Sequence, residues 1–369
     1  MGSGRRLLAA SSLAVLAVAG PAVVAGATSA GQVPRGGAVA SRPSQSTSST
    51  GVSVASASDE TGNDFVFWRG LDANLWMAIY SASTGSWSSG PTPAPGVWPL
   101  DSEPSAAVAS VSGSEYVYVF FENNGTNLAY SYAKVTPGSG SSSTSVGAWS
   151  PVIGVSGMGP LGSPPAVAYA PVGGQKGFDV FWEGTDGNLW STDLSGAGGT
   201  LGIASGPTKL GFGPLGSAPS AGADAGGNVF VFWQGSGNNT HVWEGWYSAS
   251  NSTWSGPIDL GRWTGNTGSP PTVAIGAYGR EYLFWQGLDG NLYDAYWNGY
   301  WTGWTYLGDG PLNSAPSAVV TSGITGYTPA SSYIIVWKGT DLNLWYVAYN
   351  YETSTWSGPN KEAYGPLDS

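Results

Sequence analysis

Few residues in this chain can do covalent chemistry. Among 369 residues there are 23 acids, 12 bases, one histidine and no cysteine. The absence of cysteine excludes disulfides, thiol catalysis and thiolate metal sites. A single His241 excludes any multi-histidine zinc site and any mechanism that needs two imidazoles. A serine triad would have to use His241, which stands in a repeated turn where other copies carry Asn; a turn or rim role is expected. A glycosidase needs two or three converging carboxylates. Most acids here instead recur in one turn (Asp72, Asp186, Asp289, Asp341), and recurrence implies a structural role. Isolated turn carboxylates also supply too few oxygen ligands for calcium. A substrate carboxylate would call for clustered arginines, and past the leader only Arg69, Arg262 and Arg280 occur. No catalytic residue, metal or cofactor is expected.

What the chain has instead is aromatic surface. Charged residues make up 9% of it, against about 25% in an average soluble protein. Aromatic residues make up 13%, with 19 tryptophans. The formal charge of −11 argues against nucleic acid as a partner, since phosphate neutralisation needs a basic face. Flat apolar rings beside amides and acids suit sugars, whose C–H faces stack on rings while hydroxyls find polar groups.

The elements that must position these rings come in six copies. The copies read FVFWRGLDANLW (65–76), YVFFENNGTNLA (118–129), DVFWEGTDGNLW (179–190), FVFWQGSGNNTHVW (230–243), YLFWQGLDGNLY (282–293) and IIVWKGTDLNLW (334–345). Their anchors Trp68, Phe121, Trp182, Trp233, Trp285 and Trp337 are spaced by 53, 61, 51, 52 and 52 residues. The long interval contains a Gly/Ser insert at 138–147. Each copy continues with a further strand and a GPLGSAP-like segment, and five of the six carry between them a second Trp (87, 149, 254, 301, 356) before Ser/Thr-Gly-Pro or a variant. That gives four short strands per copy, joined by Gly, Asn, Asp and Pro turns. The expected fold is all-β: a six-bladed β-propeller, about 52 residues and four antiparallel strands per blade, over residues 51–369. The segment 51–58 resembles the first strand of a unit, and 365–369 ends where the next unit would begin, so the ring can close.

Residues 1–30 read as a cleavable secretory signal peptide: Arg5 and Arg6, an apolar run to Val24, then Ala25-Gly26-Ala27. Residues 31–50 read as a flexible Ser/Gly/Pro-rich leader. Secretion is expected, and no later run is long enough to span a bilayer as a helix.

Fourteen tryptophans are explained by the repeat. Five are not: Trp98, Trp246, Trp263, Trp297 and Trp304, four of them in blades four and five. They either line sugar sites or cover one end of the ring. The residue after each anchor is long and polar (Arg69, Glu122, Glu183, Gln234, Gln286, Lys338) and could reach a cleft between blades. Blades four and five add acids after the NLW-type aromatic, so Gln234 goes with Glu244 and Gln286 with Asp294. The expected ligand contacts are Arg69, Gln234, Glu244, Trp246, Gln286, Asp294, Trp297 and Trp304.

The combination VFWxGtDgNLW, tWSGP and GPLGSAPS, over six units, resembles the fucose-specific-lectin superfamily of β-propellers, including the bacterial PLL-type lectins. The resemblance implies fucose or related glycans bound between adjacent blades. There an arginine and an acid hold hydroxyls and an aromatic ring stacks on the sugar. On that resemblance Arg69 matches the arginine-like position, and Glu244 and Asp294 the acidic partner. The sequence departs from the pattern: only blade one has the arginine, and it carries Met77 in place of the acid. Unequal or few sites are therefore expected. The reading is a secreted, non-enzymatic, carbohydrate-binding propeller with glycans or polysaccharide as partner, fucosylated ones included. The alternative is a propeller that binds a protein or cell-envelope partner through its face; a glycoside hydrolase would need three acids in the central channel.

Overall fold

The computed structural model describes residues 54–369, apart from 60, 89, 173–174, 197–198, 277–278, 322–331, 352, 366 and 368–369. The expected signal peptide and leader lie outside the described residues. Six antiparallel sheets follow one another along the chain. Blade one contains β1 (Val54–Ser58), β2 (Asp64–Arg69), β3 (Leu75–Ser81), β4 (Ser86–Trp87) and β5 (Thr92–Pro93). Its outer strand is broken in two, as is that of blade two. Blades three to six have four strands each, in sequence order across the sheet. The innermost strands touch their neighbours all the way round, including the first against the sixth. The expected six-bladed, four-stranded ring is what the chain forms.

The core is divided. Each seam between adjacent blades holds its own apolar cluster. That is why the FVFW-type strands are apolar on both faces: β2 is buried along Asp64–Trp68. The anchor tryptophans are fully buried, and truncating one to Ala should cost about 3–5 kcal/mol.

The repeat motif has a physical reading at each position. In the DxNxW turn the carboxylate of Asp186 accepts the backbone N–H of Asn188 (3.1 Å) and the indole N–H of Trp190 (3.0 Å). Asp72 and Asp341 repeat the arrangement with Trp76 and Trp345. Held this way, the ring lies on the glycine after the anchor pair: a Cβ on Gly184 would sit 2.4 Å from the Trp190 indole. Blade two confirms the logic. Where Ala129 replaces the Trp, Asn123 replaces the Gly. The Ser of GPLGSAP stitches the connection to the next blade. Ser163, Ser217, Ser269 and Ser314 each accept the N–H of the residue after an anchor, at 3.0–3.1 Å.

At the other end of the sequence, Leu367 bridges Gly70 of blade one, as Leu161, Leu215 and Leu312 bridge Gly184, Gly235 and Gly339. The ring therefore closes with the contact used between internal blades. Around the axis, hydroxyls join neighbouring inner strands: Ser105 Oγ accepts Val167 N–H (3.0 Å), Ser220 accepts Val273 (3.0 Å) and Thr272 accepts Ala318 (3.3 Å). Ser56 and Ser317 share a hydroxyl–hydroxyl bond of 2.6 Å. The first and third seams have Ala55 and Ala166 at this position and cannot make the bond.

Candidate functional site

The residues that follow the anchors turn inward to the connections. Arg69 Nε donates to the Leu100 carbonyl at 2.7 Å, Gln234 Nε2 to Thr267 O at 2.9 Å, and Gln286 Nε2 to Leu312 O at 2.6 Å. All three side chains clasp the loop that leads to the next blade. Glu122 and Glu183 occupy the same position but ordinarily lack a proton to donate. Burial, with nearby acids, raises both carboxyls to about 7.

The fourth seam, between blades four and five, is closed. Glu244 is 0% exposed, and the Trp301 indole N–H donates to it at 3.3 Å. Trp246, Trp263 and Trp297 pack around it in the same seam cluster, Trp297 edge-on to Trp301. Gln234 and Glu244 lie on the same sheet face, offset by two residues on neighbouring strands. In the fifth seam Asp294 is 8% exposed and raised to about 6 by burial. It stands opposite the buried Phe284 in the strand pairing, is hydrogen-bonded by Thr305, and its charge raises the Tyr333 phenol. The eight residues expected to contact ligand thus do not converge. Trp304 stands apart: it is exposed, edge-on to Tyr293 at 5.7 Å, and lines a surface cavity of about 330 Å³ with Leu288 and Asp289.

The third seam is open and polar. Between blades three and four lies a cavity of about 300 Å³. One wall is β12 (Gln175–Glu183) and β13 (Leu189–Ser195), which present Asp179, Ser191 and Asp193. The facing wall is Tyr247 and Trp254 of blade four, whose rings lie 5.7 Å apart. Phe181 and Phe212 back the Trp254 indole at 5.7 and 6.3 Å and fix its plane. Asp179 and Asp193 stand directly opposite each other in the strand pairing. Burial drives the Asp179 carboxyl up to about 8, and its hydrogen bond to Asp193 and the charge there add to the shift.

Sequence reasoning passed over Asp179, Ser191, Asp193, Tyr247 and Trp254. The signal was present as a departure from the repeat. Where blade three has Asp179, the other blades have Phe65, Tyr118, Phe230, Tyr282 and Ile334. Where it has Asp193, they have Ile79, Tyr132, Trp246, Tyr296 and Ala348. Five seams fill these positions with apolar or aromatic groups, and one keeps two carboxyls and a void.

The central channel is narrow, about 90 Å³, and walled by small residues and prolines; Glu103 is the one titratable residue among its described lining. His241 sits on the rim with Nδ1 3.0 Å from Asp259, in the turn position expected of it.

No protein-family model matches the sequence, and no curated protein matches it. Solved structures do share its architecture. AofleA from Arthrobotrys oligospora superposes with a TM-score of 0.62 at 13% identity, covering 86% of this chain and 87% of that one. The lectin of Aleuria aurantia, described as a six-bladed β-propeller with a fucose recognition mode, gives 0.58 at 12% identity, covering 87% and 97%. SapL1 lectin, solved with α-methyl fucoside, gives 0.53 at 18% identity, covering 84% and 95%. The chain thus has the six-bladed propeller fold of the fucose-specific lectins.

Proposed function

We propose that the chain is an exported carbohydrate-binding propeller that acts by recognition and not by catalysis. The observation that carries this reading is the third-seam cavity: aromatic rings on one wall, hydroxyl and carboxyl groups on the other. Trp254 offers the apolar face of a sugar ring a platform, and Ser191, Asp179 and Asp193 offer hydrogen bonds to its polar edge. The lectins that share the fold support it by analogy of architecture. Two features weigh against hydrolysis. Asp179 and Asp193 are hydrogen-bonded to each other, closer than the roughly 5 Å or more that glycosidase carboxyl pairs keep. The described lining of the channel contributes a single acid.

The seams are unequal, so recognition is concentrated and not sixfold. The exposed cavity at Trp304 is the next candidate contact and would add avidity on a repetitive glycan. The reading as a protein-binding face needs one exposed aromatic sheet. Three of the five off-template tryptophans are instead half-buried in the fourth seam.

A glycan array with the purified chain, run with and without EDTA, tests the proposal. Binding to a coherent set of glycans, unchanged by EDTA and lost in Trp254→Ala, supports it. A blank array from folded protein overturns it. Export is checked by N-terminal sequencing of the protein recovered from culture medium, with a new terminus expected near residues 25–31.

A further inference from the structure

The charge of the third-seam cavity is not that of a neutral-sugar site. Asp179 and Asp193 are opposed across two hydrogen-bonded strands, an arrangement that brings like charges to within about 5 Å and destabilises the sheet when both ionise. No lysine, arginine or histidine is among the described residues of the lining. The charged groups on adjoining elements are committed elsewhere. Lys209, next to the lining residue Thr208, pairs with Asp186 at 2.8 Å. Asp224, in the hairpin turn between the first two strands of blade four, is held by the N–H groups of Gly226 and Asn228 and by the Asn228 amide. Tyr247 is the remaining titratable group that faces the carboxyls.

We propose, resting on the carbohydrate reading, that this cavity takes a sugar bearing a free, protonated amine, with the ammonium seated between Asp179 and Asp193 and the ring against Trp254. A hydroxyl has one proton to give and leaves the negative charge uncompensated. An ammonium has three N–H donors and a positive charge, so it satisfies both carboxyls at once. The aromatic wall favours the same ligand, because a cation beside an indole or phenol face gains further attraction. An N-acetylated sugar has lost that charge and carries extra bulk.

The proton balance gives the inference a readout of its own. The raised Asp179 carboxyl keeps a proton near neutral pH. When an ammonium enters, that proton leaves to solvent and both carboxylates become acceptors. A sugar amine beside electron-withdrawing hydroxyls holds its proton below about pH 7.7, as an α-amino group does, so at pH 6 both partners enter protonated and binding should release the Asp179 proton. Above about pH 8 the free amine is neutral and the carboxyl ionised, so binding should instead take up a proton, and affinity should weaken toward pH 5, where the Asp179 carboxyl holds its proton against the ligand.

The test is calorimetric titration of the full chain with three probes: the β-1,4-linked glucosamine trimer, the N-acetylglucosamine trimer and fucose. Each is run at pH 6, where the amine and the Asp179 carboxyl both hold their protons, in two buffers of different ionisation enthalpy and in 0.3 M salt, to suppress diffuse attraction to an acidic protein. The amine trimer is expected to bind at least tenfold tighter than the acetylated trimer and to release protons. Asp193→Asn and Asp179→Asn should each weaken it tenfold or more, and an exposed-charge control in blade one, Asp72→Asn, should not. Melting curves establish that the variants are folded, and proton release by the unmodified chain needs no variant. If fucose or the acetylated trimer binds as well as the amine trimer, or no proton is released, the amine inference is overturned while the carbohydrate reading stands. If no probe and no arrayed glycan binds, both fall together.

Discussion

Asp64 is fully buried at the start of β2, with the Ser58 hydroxyl donating to one carboxyl oxygen and the other without a partner. Burial raises it to about 8. A carboxyl whose folded pKa is raised stabilises the fold below its unfolded value near 4 and loses that contribution as pH climbs through the folded value. Asp179, Glu122, Glu183 and Asp294 are raised in the same direction. Across this window each retained proton costs up to about 1.4 kcal/mol of stability per pH unit. The melting temperature should therefore fall from pH 5 to pH 9, and Asp64→Asn should remove part of that fall while leaving pH 5 nearly unchanged. Parallel melts of the two proteins at both ends of the range check it. Glu183 allows a milder version. In Gln234 and Gln286 an amide at its position donates to the following loop. Glu183→Gln should raise stability at pH 8 by about the net worth of one hydrogen bond, 0.5–1.5 kcal/mol, and do nothing at pH 5.

Within a blade, the turn and the strand behind it form one steric unit. Gly184→Ala drives a methyl into the Trp190 indole and should cost about 1–3 kcal/mol. Adding Trp190→Ala should cost less than the sum of the single changes, because blade two already lives with Asn123 and Ala129 at these positions. Urea midpoints of the two singles and the double decide it. Elements of this kind were readable from the sequence because repetition shows them in blade after blade: the Asp turn, the buried anchor and the Ser stitch each recur. The candidate site was not, for the converse reason. Residues that repeat invite comparison with their counterparts, and Arg69, Gln234 and Gln286 looked like ligand contacts because every blade has a polar group there. In these three blades the side chain holds the loop that leads to the next blade. Glu244 and Trp246 drew notice as polar and aromatic surplus, yet whether a seam closes over such groups depends on the neighbour. Trp301 of blade five covers Glu244, and that contact spans 57 residues of sequence. Asp179 and Asp193 belong to blade three, but their cavity exists only because Trp254 and Tyr247 of blade four stand back from them.

At the scale of the molecule, closure depends on the last residues of the chain. Leu367 is buried against blade one and bridges Gly70, and Tyr364 in the same segment donates its hydroxyl to the Ser88 carbonyl. Leu367→Ala should destabilise the protein by about 2–5 kcal/mol, comparable to Leu215→Ala at an internal junction. Near-equal urea midpoints for the two are the mark of a ring without a free end; a silent Leu367→Ala would mean the terminal junction bears no strain-sharing role. The inner circle of hydroxyl bonds carries a mechanical consequence. Four junctions are pinned at the axis by Ser or Thr, and two are left with alanine. The first of the two is braced at its outer edge, where Asn63 and Ser81 bond Thr144. The third has instead a hollow at the outer edge and alanine at the axis. A guest lodged there, as proposed, would act as a keystone, bracing the one joint that has neither pin nor outer clasp.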